Sequence, residues 1–222
     1  MKKTFASLSL LTALATPASA TDFTVEIINL TRGSWFTPFL VAAHADSARL
    51  FTTGEPASTS LQTMAEGGDI GPLQADVEAL NATIVANPAE GLLAPGQRTS
   101  AALNTDDAPD NTRLSIVAMI LPSNDGFMGL NAITIPTEPG RYVYNVNAYD
   151  SGTEANDEVV GSGVPGEPGF PAPPPVLAAS GSNGTGIDAT AEGFVHIHRN
   201  VLGDDDITGG ASDIVNTVHR WL

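Results

Sequence analysis

The stretch "RLSIVAMILP", residues 113–122, is apolar at almost every position between an arginine and a proline. A short apolar run of this kind, rich in branched side chains, predicts a β-strand. Seven further segments are apolar throughout or alternate between apolar and polar residues, and most are bounded by Gly, Pro, Asn or Asp: 23–30, 35–44, 98–105, 131–136, 141–149, 193–199 and 214–222. Eight strands with turns rich in Gly and Pro predict an all-β, antiparallel β-sandwich.

Two segments have a helical pattern instead. "STSLQTMAEGG" (58–68) begins with residues that can cap a helix and ends with glycines that can stop one. "IGPLQADVEALNATI" (70–84) spaces its apolar residues about 3.6 apart and has a proline near its first turn. We therefore expect two short helices beside the strands. Pro38, inside the strand 35–44, indicates an edge or a bulge.

The first 20 residues have the layout of a secretory signal peptide. Two lysines precede a short apolar run, and the small residues 18–20 form a cleavage site after Ala20. The run is too short to span a bilayer, so we expect a secreted or periplasmic protein without membrane insertion. Residues 21–222 then form one domain. Its Pro/Gly-rich segment, 161–192, is predicted to be a surface loop insertion, with a polyproline II ligand for a partner groove as the alternative.

The composition excludes several classes of function. Without the signal peptide the chain has seven arginines and 25 acidic residues, a net charge near −18, so it is a poor match for nucleic acid or an anionic membrane. The chain contains no cysteine, which excludes disulfides, thiolate nucleophiles and Cys-ligated zinc. The acidity suits either a saline habitat or specific cation sites, and only a local cluster of acids favours the second.

One such cluster lies in two predicted turns. Asp125 follows the strand 113–122 in an Asn-Asp-Gly turn, while Asp150 and Glu154 flank a glycine-containing turn after the strand 141–149. If the two strands end at the same pole of the sandwich, the three carboxylates converge, and Ca²⁺ prefers such oxygen ligands. The alternative is that the two aspartates are ordinary turn residues that accept hydrogen bonds from nearby amides.

The motifs "PSNDGFMG" (122–129) and "YDSGTE" (149–154), in this order, resemble the paired motifs of the spondin N-terminal domain family. Further matches are "WFTPFLVAAH" (35–44), "LFTTGEPAS" (50–58) and "VHIHR" (195–199), so that the resemblance covers roughly residues 22–222. It implies a C2-like β-sandwich whose calcium ion is held by Asp125, Asp150 and Glu154.

The chain departs from the family pattern in two ways. Ser151 replaces the usual alanine, and Glu154 is longer than the aspartate often found at its position. Animal members also carry thrombospondin repeats and disulfides, and this sequence has neither. The family's adhesive role therefore transfers only as an extracellular binding module whose partner, a protein or a glycan, is unknown.

An enzyme is the competing hypothesis. His196 and His198 are two apart on a predicted strand and hence on one face, an arrangement that several metal sites in β-proteins use. A third ligand from His44, His219 or Glu192 would complete a catalytic zinc, copper or iron site. The sequence contains neither a Gly-x-Ser-x-Gly motif nor a phosphate-binding loop. A third hypothesis is a structural subunit of a surface matrix. We favour the secreted, calcium-binding module for extracellular binding or adhesion.

Overall fold

The computed structural model describes residues 22–216, and this range contains eleven strands and three short helices. The strands are β1 (Asp22–Ile28), β2 (Trp35–Phe36), β3 (Leu40–His44), β4 (Thr83–Ala86), β5 (Arg98–Asn104), β6 (Arg113–Leu121), β7 (Gly126–Thr134), β8 (Asn147–Asp150), β9 (Val160–Gly161), β10 (Phe170–Pro171) and β11 (His196–Ile197). The helices are α1 (Thr59–Gly67), α2 (Gly71–Glu78) and α3 (Pro174–Leu177). The predicted signal peptide and most of the predicted strand 214–222 lie outside the described residues.

Seven of the strands form one antiparallel sheet. Its order is β11-β8-β7-β6-β3-β4, and β2 pairs with the end of β6 beside β3. A second, two-stranded sheet pairs β1 with β5, also antiparallel, while the short β9 and β10 pair in parallel. The predicted all-β sandwich is confirmed. Among residues 22–216, none of the helices has the length and apolar character needed to cross a bilayer.

Strand β6 lies at the centre of the protein and is covered on both faces. Because side chains alternate along a strand, one face carries Ile116, Ala118 and Ile120, and the other carries Val117, Met119 and Leu121. The first set packs with apolar residues of β1 and β5, and the second with the buried faces of α1 and α2. This double burial explains why the stretch 113–122 is apolar throughout instead of alternating.

The first predicted helix agrees with the structure, and the second is too long. Helix α1 begins after Ser58, whose hydroxyl accepts a hydrogen bond from Leu61 N at 3.1 Å, and is capped at its C-terminal end by Gly68 in the left-handed conformation. Helix α2 ends at Glu78, whereas the prediction continued it to residue 84. The last part of that stretch belongs to β4, because pairing with β3 overrides the local helical spacing.

Several predicted strands have different bounds in the structure. Pro38 divides the segment 35–44 into β2 and β3, in line with the predicted irregularity. Strand β7 begins at Gly126, five residues before the predicted start, and β11 contains only two residues of the predicted 193–199. Within 214–216 the structure shows only an isolated bridge, between Asp204 and Val215.

The predicted strand 141–149 is wrong over its first six residues. Only β8, from Asn147 onward, pairs with β7, and the segment 141–146 is exposed. Strand β7 is irregular beyond this point, since Ala132 has a φ of +51° and the pairing with β6 shifts register between Leu114 and Ile116. The pairing of β7 with β8 thus covers only Gly126–Gly129 and Asn147–Asp150.

The Pro/Gly-rich segment 161–192 contributes to the core. Phe170 in β10 and Val176 in α3 are both fully buried and belong to the cluster that also contains residues of α1 and α2. Gly166 N and Gly169 N donate hydrogen bonds to the carboxylates of Glu66 and Glu154, at 2.6 Å each. Buried side chains and buried hydrogen bonds thus fix this segment to the rest of the domain.

Candidate metal centre

The two acidic turns lie side by side at one end of the large sheet. Strands β7 and β8 run antiparallel with Gly126 opposite Asp150, so the turn that precedes β7 is next to the turn that follows β8. Ser151 N donates a hydrogen bond to the backbone oxygen of Asp125 at 3.2 Å and joins the two turns. Asp125 and Asp150 therefore lie at the same pole of the sandwich, which the sequence-based prediction required.

Asp125 is fully buried, and its two carboxylate oxygens have different surroundings. Oδ2 accepts hydrogen bonds from Ser151 Oγ at 2.9 Å, Thr153 N at 2.9 Å and Glu154 N at 3.2 Å. Oδ1 is buried and has no hydrogen-bond partner among the described residues. Burial, and next the negative charge of Asp150, raises the pKa of Asp125 to about 7. Hydrogen-bond donors thus stabilise only one of the two oxygens of the ionised carboxylate.

Asp150 is also fully buried, at the end of β8. Its Oδ1 accepts a hydrogen bond from Gly152 N and its Oδ2 from Asn156 Nδ2, both at 2.8 Å. The turn requires glycine at 152, where φ is +69° and a Cβ would lie 2.6 Å from the backbone nitrogen of Phe194. Two turns with strict geometry therefore hold two buried carboxylates close together.

The side chain of Glu154 is oriented toward a different set of partners. Its backbone N–H binds Asp125, but its Oε1 accepts hydrogen bonds from Asn124 Nδ2 at 2.7 Å and Gly169 N at 2.6 Å. Burial raises the pKa of Glu154 to about 7, and the charges of Glu66 and Asp157 add to this rise. Glu154 thus connects the site to the Pro/Gly-rich segment through an oxygen that is already occupied.

A second group of ligand atoms is found around Asp150. Among the described residues, one carboxylate oxygen of Asp150, one of Glu192 and one ring nitrogen of His196 all lie within 4.8 Å of one another. His196 Nε2 lies 3.5 Å from Asp150 Oδ1 and 3.7 Å from Glu192 Oε1. The sequence suggested Glu192 only as an optional partner of the histidine pair and did not connect His196 with Asp150. That contact depends on the pairing of His196 with Asp150 between β11 and β8.

The other histidines do not belong to this group. The ring of His198 packs on Gly126, where a Cβ would lie 2.8 Å from its Cδ2, and burial lowers the pKa of His198 to about 4. His44 is buried in the sheet, with Nδ1 2.9 Å from Ala45 O and Nε2 2.7 Å from Ser115 Oγ. Both ring nitrogens of His44 therefore have hydrogen-bond partners within the protein. His219 lies outside the described residues.

Comparison with protein families identifies a match over most of the chain. The model of a family described as Spondin_N matches residues 22–168, which are 147 of the 222 residues. No curated protein matches the chain. The matched range includes Asp125, Asp150 and Glu154 and ends before Glu192 and His196.

Proposed function

Because the chain belongs to the spondin N-terminal domain family, we propose that it is an extracellular module whose binding loops are organised by calcium. This family is not a known enzyme family, and its domain is typical of extracellular proteins. The proposed ion lies between the turn before β7 and the turn after β8. Its ligands are Asp125 and Asp150, and Glu154 contributes Oε2, since the two amide donors occupy Oε1.

The observation that carries this proposal is the buried Oδ1 of Asp125, which has no hydrogen-bond partner among the described residues and lies near a second buried carboxylate. Two buried negative charges close together are costly, and a bound cation removes that cost. Ca²⁺ accepts six to eight oxygen ligands in irregular geometry, so turn carbonyls and water can complete the shell. A formal charge of −3 from the three carboxylates balances the ion well.

Calcium would act on loop order more than on global stability. Extracellular modules bind the ion with dissociation constants of about 10⁻⁴–10⁻³ M. At ten times the dissociation constant, binding stabilises the folded state by roughly 1.4 kcal/mol. Concentrated in two turns at the pole of a sheet, this stabilisation fixes the surface that an extracellular protein or glycan would contact during adhesion.

The test is the melting temperature measured in EDTA and in millimolar CaCl₂. We expect calcium to raise the melting temperature of the wild-type protein and to leave that of Asp150→Asn unchanged. Asp188→Asn is the matched control, because this acid is paired with Arg199 at the surface, at 3.3 Å. An equal calcium response in wild type and Asp150→Asn would rule out the site. A rise in light scattering with calcium would instead identify the subunit of a surface matrix.

A further inference from the structure

The tautomer of His196 is fixed by one hydrogen bond. Nδ1 of His196 lies 2.8 Å from the backbone oxygen of Ile197. A carbonyl oxygen only accepts hydrogen bonds, so Nδ1 carries the proton. Nε2 is therefore the ring nitrogen that can offer a lone pair to a ligand. Ligand histidines commonly have this arrangement, with one ring nitrogen donating to a carbonyl and the other left for the metal.

That lone pair is directed at two carboxylates. Nε2 of His196 is 3.5 Å from Asp150 Oδ1 and 3.7 Å from Glu192 Oε1, too far for a hydrogen bond in either case. Nε2 of His196 and Oε2 of Glu192 are both buried and have no hydrogen-bond partner among the described residues. With Nε2 unprotonated, three acceptors surround one point, and a positive charge there, either a metal ion or a proton on Nε2, makes the contacts favourable.

A further side chain holds the two carboxylates in position. Asn156 Nδ2 lies 2.8 Å from Asp150 Oδ2 and 3.4 Å from Glu192 Oε1, so one amide orients both acids from outside the group. Asp150 is fully buried, while the side chains of Glu192 and His196 are 26 % and 22 % exposed. The group is therefore rigid on its inner side and accessible from solvent on its outer side.

We propose that Asp150, Glu192 and His196 form a site for a Zn²⁺ ion, distinct from the calcium site and sharing only Asp150 with it. Tetrahedral ligands at about 2.0–2.2 Å from zinc are roughly 3.3–3.6 Å apart, close to the separations found here. The imidazole selects zinc over calcium, because calcium takes oxygen ligands whereas imidazole suits zinc and its neighbours. Three protein ligands leave a fourth position open to water.

Isothermal titration with ZnCl₂ of protein previously freed of metal by a chelator tests the site, and the visible spectrum of the Co²⁺ form reports its geometry. We expect one equivalent of zinc and the strong absorption of four-coordinate cobalt. Glu192→Gln and His196→Gln should each weaken zinc binding by more than the 10–100-fold typical of outer-shell changes. Glu167→Gln, an exposed acid bonded to Ser162, should bind zinc like the wild type.

The two metal proposals fail separately. Asp125→Asn should lose the calcium response and keep zinc, whereas Glu192→Gln and His196→Gln should lose zinc and keep the calcium response. Far-UV circular dichroism checks folding, and Glu192→Gln carries the test if His196→Gln does not fold. Zinc bound to either of these folded variants as tightly as to wild type would overturn the inference. Wild-type protein that binds no zinc would overturn it equally.

Discussion

Replacing Asp125 by asparagine should stabilise the metal-free protein while abolishing its response to calcium. In EDTA at pH 8 the carboxylate is ionised although it is fully buried and near Asp150. Asparagine has the same shape, and its amide oxygen can accept the four hydrogen bonds now made to Oδ2. Its NH₂ group then occupies the place of the oxygen that has no donor.

The magnitude follows from the cost of keeping this group ionised. The gap between a pKa of about 7 and the ordinary 3.8 corresponds to roughly 4 kcal/mol. Part of this gain is lost because the amide must also be desolvated, so we expect about 1–3 kcal/mol. For a domain of this size, that raises the melting temperature by roughly 2–12 °C.

Thermal unfolding in EDTA and in CaCl₂, followed by circular dichroism, measures both effects. Asp125→Ala is the matched control: it also removes the charge but deletes the acceptor of four hydrogen bonds, so in EDTA it should be less stable than Asp125→Asn. If Asp125→Asn melts below the wild type in EDTA, the carboxylate is adequately compensated without an ion. If it retains the calcium shift, Asp125 is not a ligand.

Three further predictions concern acidity and packing. The raised pKa values of Asp125 and Glu154 mean that the folded state binds more protons than the unfolded chain between about pH 4 and 7. In EDTA, the stability that protonation of these two groups gives the folded state is therefore complete below about pH 4 and is lost as the pH rises to about 7. Wild type should melt higher at pH 5.5 than at pH 8 by a margin that shrinks in Asp125→Asn; a margin of equal size in both would contradict the pKa assignment. Gly129→Ala should cost about 1–3 kcal/mol in urea unfolding, because its Cβ would lie 2.8 Å from the ring of Phe51; an unchanged urea midpoint would show that this ring can shift to make room. Phe170→Ala should cost about 3–5 kcal/mol by the same assay, whereas a loss below 1 kcal/mol would mean that the Pro/Gly-rich segment is only peripheral.

The elements with strong local patterns could be predicted from the sequence, and those formed by distant pairing could not. Strand β6 and helix α1 have their periodicity and boundary residues within their own segments, so their bounds were predicted closely. The segment 141–146 has the pattern of a strand, yet it is exposed and lies outside the pairing of β8 with β7. β-propensity describes a side chain that suits a paired, half-buried surface, and it cannot tell whether a neighbouring strand is present.

The candidate metal centre, like the fold, could be predicted only where it depends on local sequence patterns. The sequence indicates an acidic turn after the strand 113–122 and another after the strand 141–149, but it leaves open whether the two turns meet. Strand β7, which lies between β6 and β8 and begins at Gly126, brings Asp125 next to Asp150. The orientation of the Glu154 side chain does not follow from the local sequence, because one of its two hydrogen-bond donors is Gly169 N, fifteen residues later. The contact of His196 with Asp150 depends on a strand of two residues, too short for any periodicity to reveal.

In so acidic a chain, neither charge nor burial distinguishes a binding site from a structural carboxylate, but the supply of hydrogen-bond donors does. Glu158 is buried and accepts from Leu202 N at 2.6 Å, Gly203 N at 2.8 Å and Ser212 Oγ at 2.8 Å. Each of its oxygens has a donor, so Glu158 fastens the C-terminal segment to the domain without any ion. Asp125 keeps one buried oxygen without a donor, and His196 faces two acceptors. An evolved core rarely leaves such groups uncompensated, and a bound cation would supply the missing positive charge, which is the physical reason for proposing cations at these two places.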